Sequence, residues 1–157
     1  MINPREYHIL LAEDDPKLNH EFASQLREKG FHVFPVFDGL QLYQVGSMKS
    51  VRENRNLVIV SDTDMPITDG DLVVKRLLEK FPQDYINRII IGMSDNASYE
   101  NLWDNLVLKN TFIYKGQNIL NPKSDRNLAH RVIDNINFIL GNSQFHRNED
   151  GSFKYKV

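Results

Sequence analysis

Four places in this 157-residue chain put polar or charged groups directly behind a short apolar run. Glu13, Asp14 and Asp15 follow Ile9-Leu10-Leu11-Ala12. Ser61 and Asp62 follow Val58-Ile59-Val60, with Asp64 two residues on. Ser94 and Asp95 come shortly after Ile89-Ile90-Ile91, and Lys115 follows Phe112-Ile113-Tyr114. Carboxylates gathered at one mouth repel one another, and a hard divalent cation such as Mg²⁺, held by oxygen ligands, relieves that repulsion. A lysine on the far side would then hold an anion against the metal. Taken singly, an Asp just behind a strand is usually a helix cap or turn residue, and Asp15 and Asp69 are assigned to that class. Asp14 and Asp62 stand apart because carboxylate, hydroxyl and lysine occur at four strand ends in one order.

These groups can meet only if the apolar runs are strands of one parallel sheet, where ligands lie beyond the carboxyl ends of the strands. The rest of the pattern agrees. Apolar runs too short for helices, at 7–12, 31–36, 57–60, 89–91 and 112–114, alternate with segments at helical spacing, which gives five βα pairs. The first helix opens at Asp15-Pro16, carries Leu18, Phe22 and Leu26 on one face, and ends at Gly30. A weaker helix falls within 40–53. Another opens at Gly70, turns Val73, Val74, Leu77 and Leu78 inward, and stops at Phe81-Pro82. Two more are expected over 97–109 and 125–140, the last burying Leu128, Val132, Ile136 and Ile139. Trp103 is assigned to packing with Leu102 and Leu106, and the polar stretch 45–56 to a loop insertion. The expected division is one domain over 1–141 and a polar tail over 142–157.

Composition narrows the function classes. With 41% hydrophobic and 25% charged residues the chain is globular, and its net charge of −2 gives no overall field toward nucleic acid or anionic membrane. There is no cysteine, which excludes thiol catalysis and a disulfide scaffold. The five histidines never stand at a zinc-ligand spacing, and no glycine-rich nucleotide loop is present. Neither a signal peptide nor a run of ~20 apolar residues is seen, so the expected location is the cytoplasm.

The order of groups resembles the receiver domains of bacterial two-component response regulators, over about residues 7–140. Ile9-Leu10-Leu11-Ala12-Glu13-Asp14 matches the family's first strand and acidic pair. Asp62-Thr63-Asp64-Met65-Pro66 matches its phosphoacceptor four residues before a proline, and Asp69-Gly70 follows as is typical. Ser94 matches the hydroxyl residue ending the fourth strand, Lys115 the lysine ending the fifth, and Phe112 the aromatic three residues before that lysine. The resemblance implies a flavodoxin-like, doubly wound α/β fold with a five-stranded parallel sheet. It also implies Mg²⁺ bound directly by Asp14 and Asp62, through water by Glu13, and by the backbone carbonyl of Asp64. Asp62 would take a phosphoryl group from a sensor histidine kinase or phosphotransfer protein, while the metal and Lys115 neutralise the transferred charge. Ser94 would then bond the new group, and Phe112 would turn inward and alter the surface around the fourth helix, fifth strand and last helix.

Three features depart from the family pattern. Gly116 stands where a proline with a cis bond is usual, Asp95 where a small residue is usual, and 45–56 is long. The function implied is a stand-alone response regulator, not an enzyme. Its output would be contact with a downstream protein, or a phosphorylation-dependent homodimer, with no direct nucleic-acid or membrane partner. Two alternatives remain at this stage: a pseudo-receiver that binds its partner whatever its phosphorylation state, and a phosphatase of the haloacid-dehalogenase type using Asp62 and Asp64.

Overall fold

The computed structural model describes residues 1–86, 88–107 and 111–141. Its centre is a five-stranded parallel sheet in the order β2-β1-β3-β4-β5, with β1 at His8–Ala12, β2 at His32–Val36, β3 at Leu57–Asp62, β4 at Ile89–Ser94 and β5 at Ile113–Tyr114. Every residue of β3 and β4 is buried, as expected of unbroken Val/Ile runs covered on both faces. The strand order reverses between β1 and β3, so their carboxyl ends flank the crevice where open α/β sheets bind ligands.

The helices are α1 at Pro16–Glu28, α2 at Gly39–Ser47, α3 at Lys49–Arg52, α4 at Gly70–Lys80, α5 at Pro82–Tyr85, α6 at Glu100–Leu106 and α7 at Leu128–Gly141. α1 meets α7 on one face of the sheet, and α2, α4 and α6 pack in sequence on the other, the arrangement that right-handed crossovers produce. Asp15 caps α1 as expected, accepting from the N–H groups of Lys17 and Leu18. Asp69 takes the cap position of α4 without a side-chain capping bond.

Several boundaries differ from the sequence expectation. The helix expected within 40–53 breaks at Met48, which is extended (φ −65°, ψ 131°). Gly46 and Ser47, weak helix formers, precede the break. The stretch read as a loop insertion is largely helical, because Arg52 turns onto α5, pairing with Asp84 at 2.7 Å and lying 4.6 Å from the centre of the Phe81 ring. β3 and β4 run on through Asp62 and Ser94, since the parallel register pairs Ser61 with Gly92 and Asp62 with Met93. β5 is shorter than expected, and α7 starts three residues later, at Leu128. The helix expected over 97–109 opens as a 3-10 turn, Ala97–Tyr99, running into α6. Its expected end at 108–109 and the tail 142–157 lie outside the described residues. Among those described, no helix is long and apolar enough to cross a membrane.

Candidate functional site

The acidic end of β1 is fixed from the helix that follows it. Buried Asn19 of α1 donates its side-chain amide to the carbonyls of both Glu13 and Val36, each at 2.9 Å, tying the ends of β1 and β2 together. Glu13 is 2% exposed. Its Oε1 accepts from the Asp15 N–H at 3.3 Å and its Oε2 from Lys115 Nζ at 2.9 Å. The end of β3 is fixed by close approach: a Cβ on Gly70 would lie 2.0 Å from the Asp62 carbonyl oxygen, so only glycine lets α4 begin there.

Lys115 Nζ also lies 3.1 Å from Asp62 Oδ1, which accepts the Thr63 N–H at 3.0 Å as well. One ammonium thus faces two buried carboxylates, with Asp14 beside them; ligand oxygens of Glu13, Asp14 and Asp62 all lie within 4.8 Å of one another. Burial and then the charge of Glu13 push the Asp62 carboxyl up to about 7, outweighing Lys115 and the Thr63 N–H. Burial also raises the Glu13 carboxyl, against the pull of Lys115. At Lys115 burial works against the charge, but Asp62 and Glu13 prevail and raise the ammonium pKa.

The cleft over these groups, about 350 Å³, is lined by Glu13, Asp14, Asp62, Asp64, Ser94, Asp95, Asn96 and Lys115, together with Asp15 and Leu18. Seven residues that the sequence singled out from four strand ends therefore share one cavity: Glu13, Asp14, Asp62, Asp64, Ser94, Asp95 and Lys115. Ser94 Oγ accepts the Asn96 N–H at 3.0 Å, which holds the hydroxyl at the cleft wall. The Asp64 carboxylate accepts from the Tyr99 hydroxyl at 3.3 Å. Three oxygen donors with one ammonium leave the site short of positive charge, and a small hard cation fits that donor set.

Phe112 is only 8% exposed, so it is already packed inside, while Tyr114 faces solvent. The Lys115–Gly116 bond is trans, and a Cβ at Gly116 would meet the Tyr114 ring at 2.3 Å. Sequence reasoning passed over Asn19, Thr63, Asn96 and Tyr99. Thr63 and Asn96 adjoin residues it did select, but no spacing rule marks them.

No protein-family model and no curated protein matches the chain. Solved structures do resemble it. The chemotaxis response regulator CheY4 of Vibrio cholerae is 18% identical, with a TM-score of 0.61 over 85% of this chain and 98% of that one. The receiver domain of Francisella response regulator 1452 is 24% identical, with a TM-score of 0.60 over 82% and 95%. The response regulator TrrA of Thermotoga maritima, solved in complex with Mg²⁺ and BeF, is 19% identical, with a TM-score of 0.55 over 72% and 90%. The fold is that of response-regulator receiver domains.

Proposed function

We propose that this chain is a receiver of two-component signalling: Asp62 accepts a phosphoryl group, in a Mg²⁺-dependent reaction, from a sensor histidine kinase or phosphotransfer protein. The observation that carries this reading is the single lysine, Lys115, held between Glu13 and Asp62 at the rim of an acidic cleft that also contains Ser94. Asp14, Asp62 and the Asp64 carbonyl would hold the cation, with Glu13 reaching it through water. When bound, Mg²⁺ would lower the charge on the transferring oxygens and favour the ionised form of Asp62.

The remaining work falls to the chain itself. An Asp62 carboxylate oxygen attacks phosphorus as the bond from phosphorus to the donor atom breaks, and the leaving group departs with that electron pair. Lys115 leaves part of its bond to Asp62 for a phosphoryl oxygen, which keeps its charge paired. Ser94 gives the new group a hydrogen bond. The product is a change in affinity for a downstream protein or for a second copy of the chain. The site is proposed for a cytoplasmic signalling domain, not for an enzyme turning over a free substrate. The exposed Asp95 at the cleft wall favours one other reading, a pseudo-receiver whose charged mouth repels phosphate.

Incubation with Mg²⁺ and acetyl phosphate, followed by mass mapping, separates the two readings. Phosphate on Asp62, lost in Asp62→Asn, is the expected result; an unmodified chain would make the pseudo-receiver the better account. Mg²⁺ titration of the unphosphorylated protein by calorimetry should show weak binding that Asp14→Asn largely removes.

A further inference from the structure

Two side chains one helical turn apart join the α6 segment to the residues just after Asp62. Trp103 Nε1 donates to Thr63 Oγ1 at 2.9 Å, and the Tyr99 hydroxyl donates to Asp64 Oδ1 at 3.3 Å. Thr63 is bonded on every side that matters here. Its N–H holds Asp62 Oδ1 at 3.0 Å, and its hydroxyl donates to the Met93 carbonyl, next to Ser94, at 2.9 Å while accepting from the indole. Thr63 and Trp103 are both buried, so each of these bonds is costly to leave unmade.

The indole has little freedom to give way. It packs against β4 at Gly92, where a Cβ would come within 2.0 Å of the ring. In a close-packed interior a displacement of Thr63 must carry the indole with it or break the bond between them. α6 itself spans only seven residues, too few to hold a helix without tertiary contacts. Its position therefore depends on such ties.

We propose that Thr63 is a positioning residue for Asp62, and that Trp103 and Tyr99 carry the state of that carboxylate to α6. The inference rests on the phosphoacceptor reading. A group bonded to Asp62 redistributes the charge that the Thr63 N–H sees. The Thr63 backbone adjusts, and its hydroxyl moves the indole and with it the helix. This route passes through neither Phe112 nor β5, so it is separate from the one expected through Ser94.

Trp103 is the only tryptophan in the chain, so its emission reads the indole directly. The full chain is loaded with Mg²⁺ and beryllium fluoride, and fluorine NMR reports bound fluoride independently. Wild type and Thr63→Ser, which keeps the hydroxyl, should shift their emission on loading; Thr63→Val should bind fluoride and lose the shift. A full shift in Thr63→Val, or bound fluoride in wild type with unaltered emission, would overturn the relay alone. Absence of bound fluoride from wild type would overturn the acceptor reading and the relay with it. If Thr63→Val does not fold, the half-buried Tyr99→Phe decides: amide shifts on loading across Glu100–Leu106 should shrink, and shifts of full size would overturn the proposal.

Discussion

The two halves of the sheet are held together by different means. β1 pairs over five residues with β2 and over five with β3, and β3 pairs over five with β4. β4 and β5 share only the pairs Met93 with Ile113 and Ser94 with Tyr114. The acids Glu13 and Asp62 sit on the well-paired half. Lys115 and Trp103 meet that half from the other side through side-chain bonds, the lysine to Glu13 and Asp62 and the indole to Thr63. A change of charge at Asp62 thus falls on rigid strands but is felt by elements with few backbone bonds to lose, which is where low-cost local rearrangement is expected.

Removing the charged tie should have the largest effect. Lys115→Ala leaves two buried carboxylates facing each other without their ammonium, and the metal-free protein should lose about 3 kcal/mol in urea unfolding. A loss within the range of exposed pairs, below about 1 kcal/mol, would mean that β5 is held without it. Amide exchange should then rank the halves: the Lys115 N–H, bonded to the Ser94 carbonyl at 2.8 Å, should open at a free energy roughly 1–3 kcal/mol below that of the β3 amides. Equal protection in β3 and β5 would erase the contrast.

A smaller effect, and one that depends on pH, is expected at Asp62. Its carboxyl rises from the usual 3.8 to about 7 in the folded chain. Between those values the folded protein keeps a proton that the unfolded chain has released, so this group's contribution falls as pH rises through that window. Asp62→Asn should therefore raise metal-free stability at pH 8, by about 1–2 kcal/mol after allowing for relaxation and for the lost Lys115 contact. At pH 5 most of that gain should vanish. A melting curve showing the variant less stable at pH 8 would contradict the crowding. The smallest change is assigned to Ser94→Ala, within about 1 kcal/mol of wild type. That variant should still accept phosphate on Asp62 but show reduced NMR shifts around Phe112; undiminished shifts would remove Ser94 from the response.

The contrast between the halves also explains what could be read from sequence. Val58-Ile59-Val60 and the four strand ends were legible because burial on both faces demands unbroken apolar runs, and parallel strands bring their carboxyl ends together. The pairing of Lys115 with Glu13 was not, because the lysine's role was drawn from an anion it would meet, whereas the fold without that anion pairs it with the nearest acids. Trp103 was rightly placed in the packing, but Leu102, expected beside it, is exposed, and the bond from Trp103 to Thr63 was missed. A buried indole N–H needs an acceptor, and Gly92 is the residue that lets the ring lie close; neither signal has a fixed offset in sequence. Met48 broke a helix that periodicity alone would have continued, because the fall of Arg52 onto Asp84 and Phe81 is a long-range event.

The bond between Lys115 and Glu13 joins residues 102 positions apart. Closing a loop of that length costs about 4 kcal/mol of chain entropy, which no single contact recovers. The ammonium can reach its place only after the intervening strands have docked. During synthesis the acids leave the ribosome long before the lysine does. A nascent chain carrying only the first three strands therefore has the acids without the cation that steadies them, and the site is complete only once β5 and Lys115 have been made.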